Sequence, residues 1–280
     1  MANAEVFRII DVGPREEVSP EPAPSQDGAQ QRNVSQRRKI QATAKLALWP
    51  GPSNAIVTQG EPVPLIHVSG VAAPETFDPR LVLLAEPGCE TARSYRLLRH
   101  RLFGMGDPRT IAVTSARAGD GKTTCAVNLA LTLAEDATSR VLLLEANLRR
   151  PIAARLFGID PYDSILGELA RTRNLAPPYP VTAVVGTRMH LAALASEPIV
   201  GARLDRSLFL PLLSDLREVY DYIVVDAGPI LESGDADVIG ECASGVILTA
   251  RAGKSRRPEL RRAIEQLRPT PVLGTVLFEA

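Results

Sequence analysis

The 280 residues contain only three cysteines, Cys89, Cys125 and Cys242, far apart, with no Cys-x-x-Cys pair and no histidine beside them. That pattern excludes a disulfide framework and a structural zinc site. Net charge is missing too, because 32 basic side chains balance 32 acidic ones. Such a chain is not a polyelectrolyte that coats DNA or an anionic membrane over its whole surface. No run approaches the ~18 consecutive apolar residues of a spanning helix. The opening MANAEVFRIIDVGPREE has neither the basic start nor the apolar stretch of a secretory signal. The expectation is a cytoplasmic protein without a transmembrane segment.

Proline is plentiful and unevenly placed. Residues 1–78 carry Pro14, Pro20, Pro22, Pro24, Pro50, Pro52, Pro62, Pro64 and Pro74, with almost no sustained periodicity. A segment that buries little apolar surface does not offset its chain entropy, so a largely disordered tail is expected over 1–78. Two islands interrupt it. One is Val6–Val12; the other is AIVTQGEPVPLIHV, whose prolines allow at most a short edge strand or a docking peptide. The cluster Arg37-Arg38-Lys39 reads as a solvated charge run.

From residue 79 to 280 apolar strands alternate with helical stretches, the pattern of a doubly wound, mostly parallel α/β sheet. TIAVTS, RVLLLEAN, YDYIVVDAG, SGVILTAR and VLGTVLF are expected strands, with VTAVVG and HLAALA as further candidates. Lys122–Ala134 and Leu208–Val219 read as helices. In ELRRAIEQL, Leu260, Ala263, Ile264 and Leu267 fall at i, i+3, i+4 and i+7, which predicts a third.

The chemistry concentrates directly after TIAVTS. Gly119-Asp120-Gly121-Lys122-Thr123-Thr124 stands between a strand and a helix. Glycines let backbone amides turn onto phosphate oxygens, a lysine reaches them, and the adjacent hydroxyl can meet Mg²⁺. Ala116 takes the place of the usual first glycine, so the loop is a variant. Asp226, after four apolar residues in YDYIVVDAG, stands where a carboxylate can hold Mg²⁺ beside that loop. Glu145 and Asn147 end a strand expected next to it. The reading is ATP and Mg²⁺, with Gly119, Asp120, Gly121, Lys122, Thr123 and Thr124 on the nucleotide and Thr123 with Asp226 on the metal.

The series YRLLRHRLF, VTS-x-x-x-GDGKTT-x-x-x-NLA, RVLLLEANLRRP-x-x-x-x-LFG and YDYIVVDAGP resembles the cytoplasmic ATPase domain of bacterial tyrosine kinases. That family shares a fold with the Min and Par ATPases, and the resemblance covers about residues 80 to 280. It implies phosphoryl transfer with Lys122, Glu145 and Asp226 as catalytic residues. It also implies a membrane polysaccharide co-polymerase or export protein as partner, and assembly through the helix at 90–101.

The chain departs from the family's pattern at several points. The family's Asp-x-Asp-x-Arg becomes Glu145-x-Asn147-x-Arg149, so Glu145→Asp with Asn147→Asp is expected to raise turnover. The C-terminal tyrosine cluster is replaced by Phe278-Glu279-Ala280, so little or no autophosphorylation is expected on a C-terminal tail. Any phosphotyrosine is expected at an exposed internal site or on another protein, and abundant label at Tyr95, Tyr162 or Tyr179 would speak against this. Phe278 stands where relatives carry a base-contacting asparagine. Arg117 stands where Par-type relatives carry a lysine that reaches the partner subunit. The assembly motif Glu-x-x-Arg-x-x-Arg fits Glu90-Arg93-Arg96, or, aligned on YRLLR, Arg93, Arg96 and Arg99. A Par- or Min-like positioning ATPase and an inactive nucleotide-binding scaffold remain open alternatives.

Overall fold

A computed structural model describes residues 7–10, 65–72, 77–159, 164–172, 176–194 and 203–279. Most of the expected tail, including Arg37-Arg38-Lys39, lies outside the described residues, as does Tyr162.

Nine strands form one sheet: β1 Phe7–Ile10, β2 Ile66–Ala72, β3 Thr110–Ser115, β4 Val141–Ala146, β5 Tyr179–Val184, β6 Met189–Ala192, β7 Tyr222–Ala227, β8 Gly245–Arg251 and β9 Val272–Phe278. Their spatial order is β1-β9-β8-β3-β7-β4-β6-β5-β2. The six strands from β9 to β6 run parallel. At one border β1 is antiparallel to β9. At the other, β5 is antiparallel to β6 and β2 runs parallel to β5. Part of each island within 1–78 thus enters the sheet as an outermost strand: Phe7–Ile10 form β1, and the last three residues of the second island, 66–68, begin β2. VLGTVLF forms β9 and is covered by β1.

The parallel strands are apolar in unbroken runs because helices cover both faces. In β4, Val141 and Leu143 join one core while Leu142, Leu144 and Ala146 join the other. In β7 the same alternation sends Tyr222 and Val224 one way and Ile223, Val225 and Ala227 the other. The first core is filled by α1 (Val82–Ala85), α2 (Glu90–Gly104), α3 (Lys122–Leu133) and α4 (Ala153–Leu156). The second is filled by α5 (Ile165–Thr172), α6 (Arg206–Val219), α7 (Asp235–Cys242) and α8 (Arg257–Gln266).

Helix α3 is buried almost all round, since it has the sheet beneath it and α1 and α2 above. Strand periodicity places Glu145, two residues after Leu143, and Asp226, two after Val224, on the α3 side of the sheet. They sit opposite each other in the β4–β7 register. This puts the loop before α3 and the ends of β4 and β7 at one edge, where ligands of open parallel sheets bind.

Two arginines of the expected assembly helix are engaged within the chain. The Arg96 guanidinium donates to Glu135, with Nε 2.9 Å from Oε1, and also to the Pro87 carbonyl. Arg99 donates to the Thr132 carbonyl and lies 3.4 Å from Glu135. Both readings of the motif therefore include an arginine held against the C-terminal end of α3, while Glu90 and Arg93 are exposed.

Candidate active site

The loop between β3 and α3 makes its turn at two glycines with positive φ, Gly119 at +82° and Gly121 at +85°. At Gly121 shape adds to conformation: a Cβ there would lie 2.5 Å from the Phe278 ring. Phe278 is buried and supports the loop from below, so the structure gives it a packing role rather than a place on the cavity wall. Helix α3 begins at Lys122 without a side-chain cap, which leaves its first amides directed at the cavity.

That cavity measures about 410 Å³ and is lined by Gly119, Gly121, Lys122, Thr123 and Thr124 from the loop, with Asn147 and Arg150 opposite. Asp120, expected among the nucleotide contacts, is placed differently. Its side chain is 1% exposed, lies outside the lining, and neither oxygen has a hydrogen-bond partner among the described residues.

Asp226 is fully buried. Its Oδ2 accepts a 2.7 Å hydrogen bond from the Thr123 hydroxyl, and its Oδ1 has no partner among the described residues. Burial pushes its pKa up to about 7, against the opposing pull of the Thr123 hydrogen bond and of Lys122. Lys122 is held below the usual lysine range, first by burial, although Asp226, Asp120 and Glu232 each favour its charged form. A hydroxyl, a carboxylate with an orphaned oxygen, a lysine and open amides at one point fit a hard divalent cation with phosphate oxygens.

Glu145, expected among the catalytic residues, lies outside the cavity lining. It is fully buried, with Oε1 accepting from the Ile152 and Ala153 amides at 2.6 Å each and Oε2 from the Leu194 amide at 2.9 Å. Burial raises its pKa, and these same amide bonds oppose the rise. Both oxygens are committed, so Glu145 ties the start of α4 and the end of β6 to β4.

Sequence reasoning missed several neighbours. The segment after β7 lies over the loop: the Ile230 amide donates to the Ser115 carbonyl at 2.9 Å, and the Ala118 amide to Glu232 Oε1 at 3.2 Å. Arg149 donates to the Glu232 carbonyl at 2.9 Å. Lys254 Nζ lies 3.3 Å from the carbonyls of Ala118 and Gly119, and it occupies the space a Cβ on Gly119 would need. Arg117 is not extended from the surface: its Nε donates to Glu259 at 3.2 Å. Arg80 and Arg251 complete the basic wall. Glu232, Lys254, Arg80 and Arg251 belong to no motif, and only the strand order brings them to one edge.

Fold and site together define a phosphate-loop α/β protein of the nucleotide-binding class. The chain belongs to the AAA domain family, whose model matches residues 108–249, about half of the chain. It is 28% identical over 205 residues to the tyrosine-protein kinase YwqD of Bacillus subtilis, a match covering 70% of this chain and 84% of that protein. It is also 28% identical to the succinoglycan biosynthesis transport protein ExoP of Rhizobium meliloti, over 67% of this chain and 24% of that much longer one. Among solved structures it resembles the BceF tyrosine kinase domain, with a TM-score of 0.59, 25% identity, and coverage of 71% of this chain and 81% of that one. The likeness to bacterial tyrosine kinases thus holds in sequence and in fold.

Proposed function

We propose that the chain binds Mg-ATP at the loop 119–124 and acts as a phosphoryl-transfer regulator of exopolysaccharide export, working with a membrane co-polymerase. The observation that carries this reading is the pairing of Thr123 with Asp226 at 2.7 Å at the foot of α3, beside Lys122. Thr123 and Asp226 would hold the magnesium, which when bound neutralises charge on the phosphate oxygens. The amides at the start of α3 and Lys122 would bind and orient those oxygens, and Lys254 would brace the outer turn of the loop through its carbonyls. The name of ExoP, a succinoglycan biosynthesis transport protein, supports the polysaccharide setting, and the likeness to YwqD and the BceF kinase domain supports phosphoryl transfer.

The acceptor of the phosphoryl group lies elsewhere than in most of this chain's own tyrosines. Tyr95 is fully buried, with its hydroxyl toward the Thr124 carbonyl. Tyr179 and Tyr222 are buried, with their hydroxyls 2.6 Å from Asp215 and Asp107. Tyr220 is buried against His190. A hydroxyl so placed cannot reach a nucleotide without unfolding its surroundings. After incubation with Mg-ATP, mass spectrometry should find no phosphate on Tyr95, Tyr179, Tyr220 or Tyr222. Abundant label on any of them would overturn acceptance in trans.

The two altered acidic positions now separate. Asn147 lines the cavity and is not committed as Glu145 is. Asn147→Asp alone should raise single-turnover hydrolysis by about tenfold, roughly 1.4 kcal/mol of barrier, because phosphoryl transfer depends on placing charge around the transferring group. Adding Glu145→Asp should cancel the gain by withdrawing oxygens from the Ile152, Ala153 and Leu194 amides. Equal turnover for parent and Asn147→Asp would favour a binding scaffold.

A further inference from the structure

A molecule with no net charge carries one strongly basic stretch, of which only Arg251 and Lys254 touch the nucleotide site. Residues 251–268 hold seven basic side chains, Arg251, Lys254, Arg256, Arg257, Arg261, Arg262 and Arg268, and two acidic ones, Glu259 and Glu265. The excess is five positive charges, so the rest of the chain carries five negative ones. Helix α8 is the body of this stretch. Its apolar side, Ala263 and Leu267 with Leu260 and Ile264, is packed into the core. Arg256, Arg257, Arg261, Arg262 and Arg268 are all exposed. Among the described residues none of these five guanidinium groups has a hydrogen bond or an ion pair. Glu259, one of the two local acids, is already engaged by Arg117.

Helical geometry aligns two of them. Arg257 and Arg261 lie at i and i+4 on one face of α8, about 6 Å apart along its axis, and Arg268 follows just past the end of the helix. All five are arginines, whose planar forks pair with phosphate groups through two parallel hydrogen bonds. The face is therefore a cluster of phosphate-matching donors that make no hydrogen bond or ion pair among the described residues.

We propose that this arginine face docks on an anionic phospholipid surface. The polarity of the molecule favours a surface over a polynucleotide met in solution. Beyond a Debye length of about 8 Å at physiological salt, the five surplus positive charges are screened and offset by the five negative ones. The face then attracts only what is already close, as a bilayer is to a chain held by a membrane partner; this last point rests on the function proposed above. None of the exposed large apolar side chains belongs to α8, so attachment is electrostatic and reversible rather than by insertion.

The test uses the full chain in vesicle flotation, with phosphatidylcholine alone or mixed with phosphatidylglycerol, at low and high salt. Parent protein should float only with the anionic vesicles and only at low salt. Each basic residue next to such a surface contributes about fivefold in partitioning, so the double variant Arg257→Gln/Arg261→Gln should bind about twenty-five-fold more weakly. Nucleotide affinity, measured on the same samples, should be unchanged. Flotation without nucleotide binding would sink the proposed function and leave the docking face standing. Nucleotide binding without flotation, or equal flotation of parent and variant, would overturn the docking face. So would tighter binding to duplex DNA than to vesicles, or arginine-dependent self-association in sedimentation velocity without flotation.

Discussion

Lys122→Met lowers affinity for Mg-ATP by at least tenfold in titration calorimetry and leaves a folded protein; this is the first result expected from the site. Lys122 is the first residue of α3 and is 6% exposed, so its ammonium is already out of water before any ligand arrives. Burial alone would favour the neutral amine, and the nearby carboxylates of Asp226, Asp120 and Glu232 keep the charge in place. A cation held this way loses little hydration when it meets a phosphate. Methionine fills nearly the same volume without the charge, so the variant removes attraction and not packing. The fold persists because Asp226, whose pKa burial has raised to about 7, can take up a proton when the cation is lost. A tenfold loss corresponds to about 1.4 kcal/mol, a lower bound for a buried charge facing phosphates. Equal affinity for parent and variant would remove the loop from the binding account.

The second large effect is structural. Glu145→Ala should destabilise the protein by about 3–5 kcal/mol in denaturant titration, because three buried amide donors lose their acceptor at once. At roughly 2–4 °C per kcal/mol for a domain of this size, the thermal midpoint should fall by about 10 °C. Glu145→Gln should cost less: its carbonyl oxygen can still serve the Ile152 and Ala153 amides, while its amide group is left facing the Leu194 N–H. Nucleotide affinity should fall in the alanine variant as well, since Asn147 and Arg150 stand on the segment that Glu145 anchors. Were Glu145 instead a catalytic group of ordinary stability, alanine would abolish turnover with an unchanged melting temperature.

The contrast between Lys122 and Glu145 marks what a sequence makes legible. Lys122 belongs to a contiguous loop whose function is a property of its own backbone and a few adjacent side chains. Strands β3, β4, β7 and β8 were equally readable, because burial on both faces leaves an unbroken apolar run between turn signals. Glu145 was read correctly as a strand-end acid near the loop, yet its partners lie seven, eight and 49 residues away. No local pattern announces them. Lys254 and Glu232 escaped for the same reason: they reach the loop from over a hundred residues away, through strand order alone. The edge strands β1 and β2 were half legible, since four to seven residues among prolines can pair with a sheet only where the sheet offers an open border. In α2 the arginine spacing was visible, but Glu135, which engages Arg96 and Arg99, lies in the next helix region and gives no sign of it.

The most direct measurement incubates the purified full chain with Mg²⁺ and γ-labelled ATP, then scores retained nucleotide, released phosphate and phosphotyrosine in one sample. The predicted result is stoichiometric nucleotide retention that Lys122→Met abolishes, slow release of phosphate, and no label on Tyr95, Tyr179, Tyr220 or Tyr222. Absence of retained nucleotide at millimolar ATP, with the protein folded and magnesium present, would contradict the account at its centre.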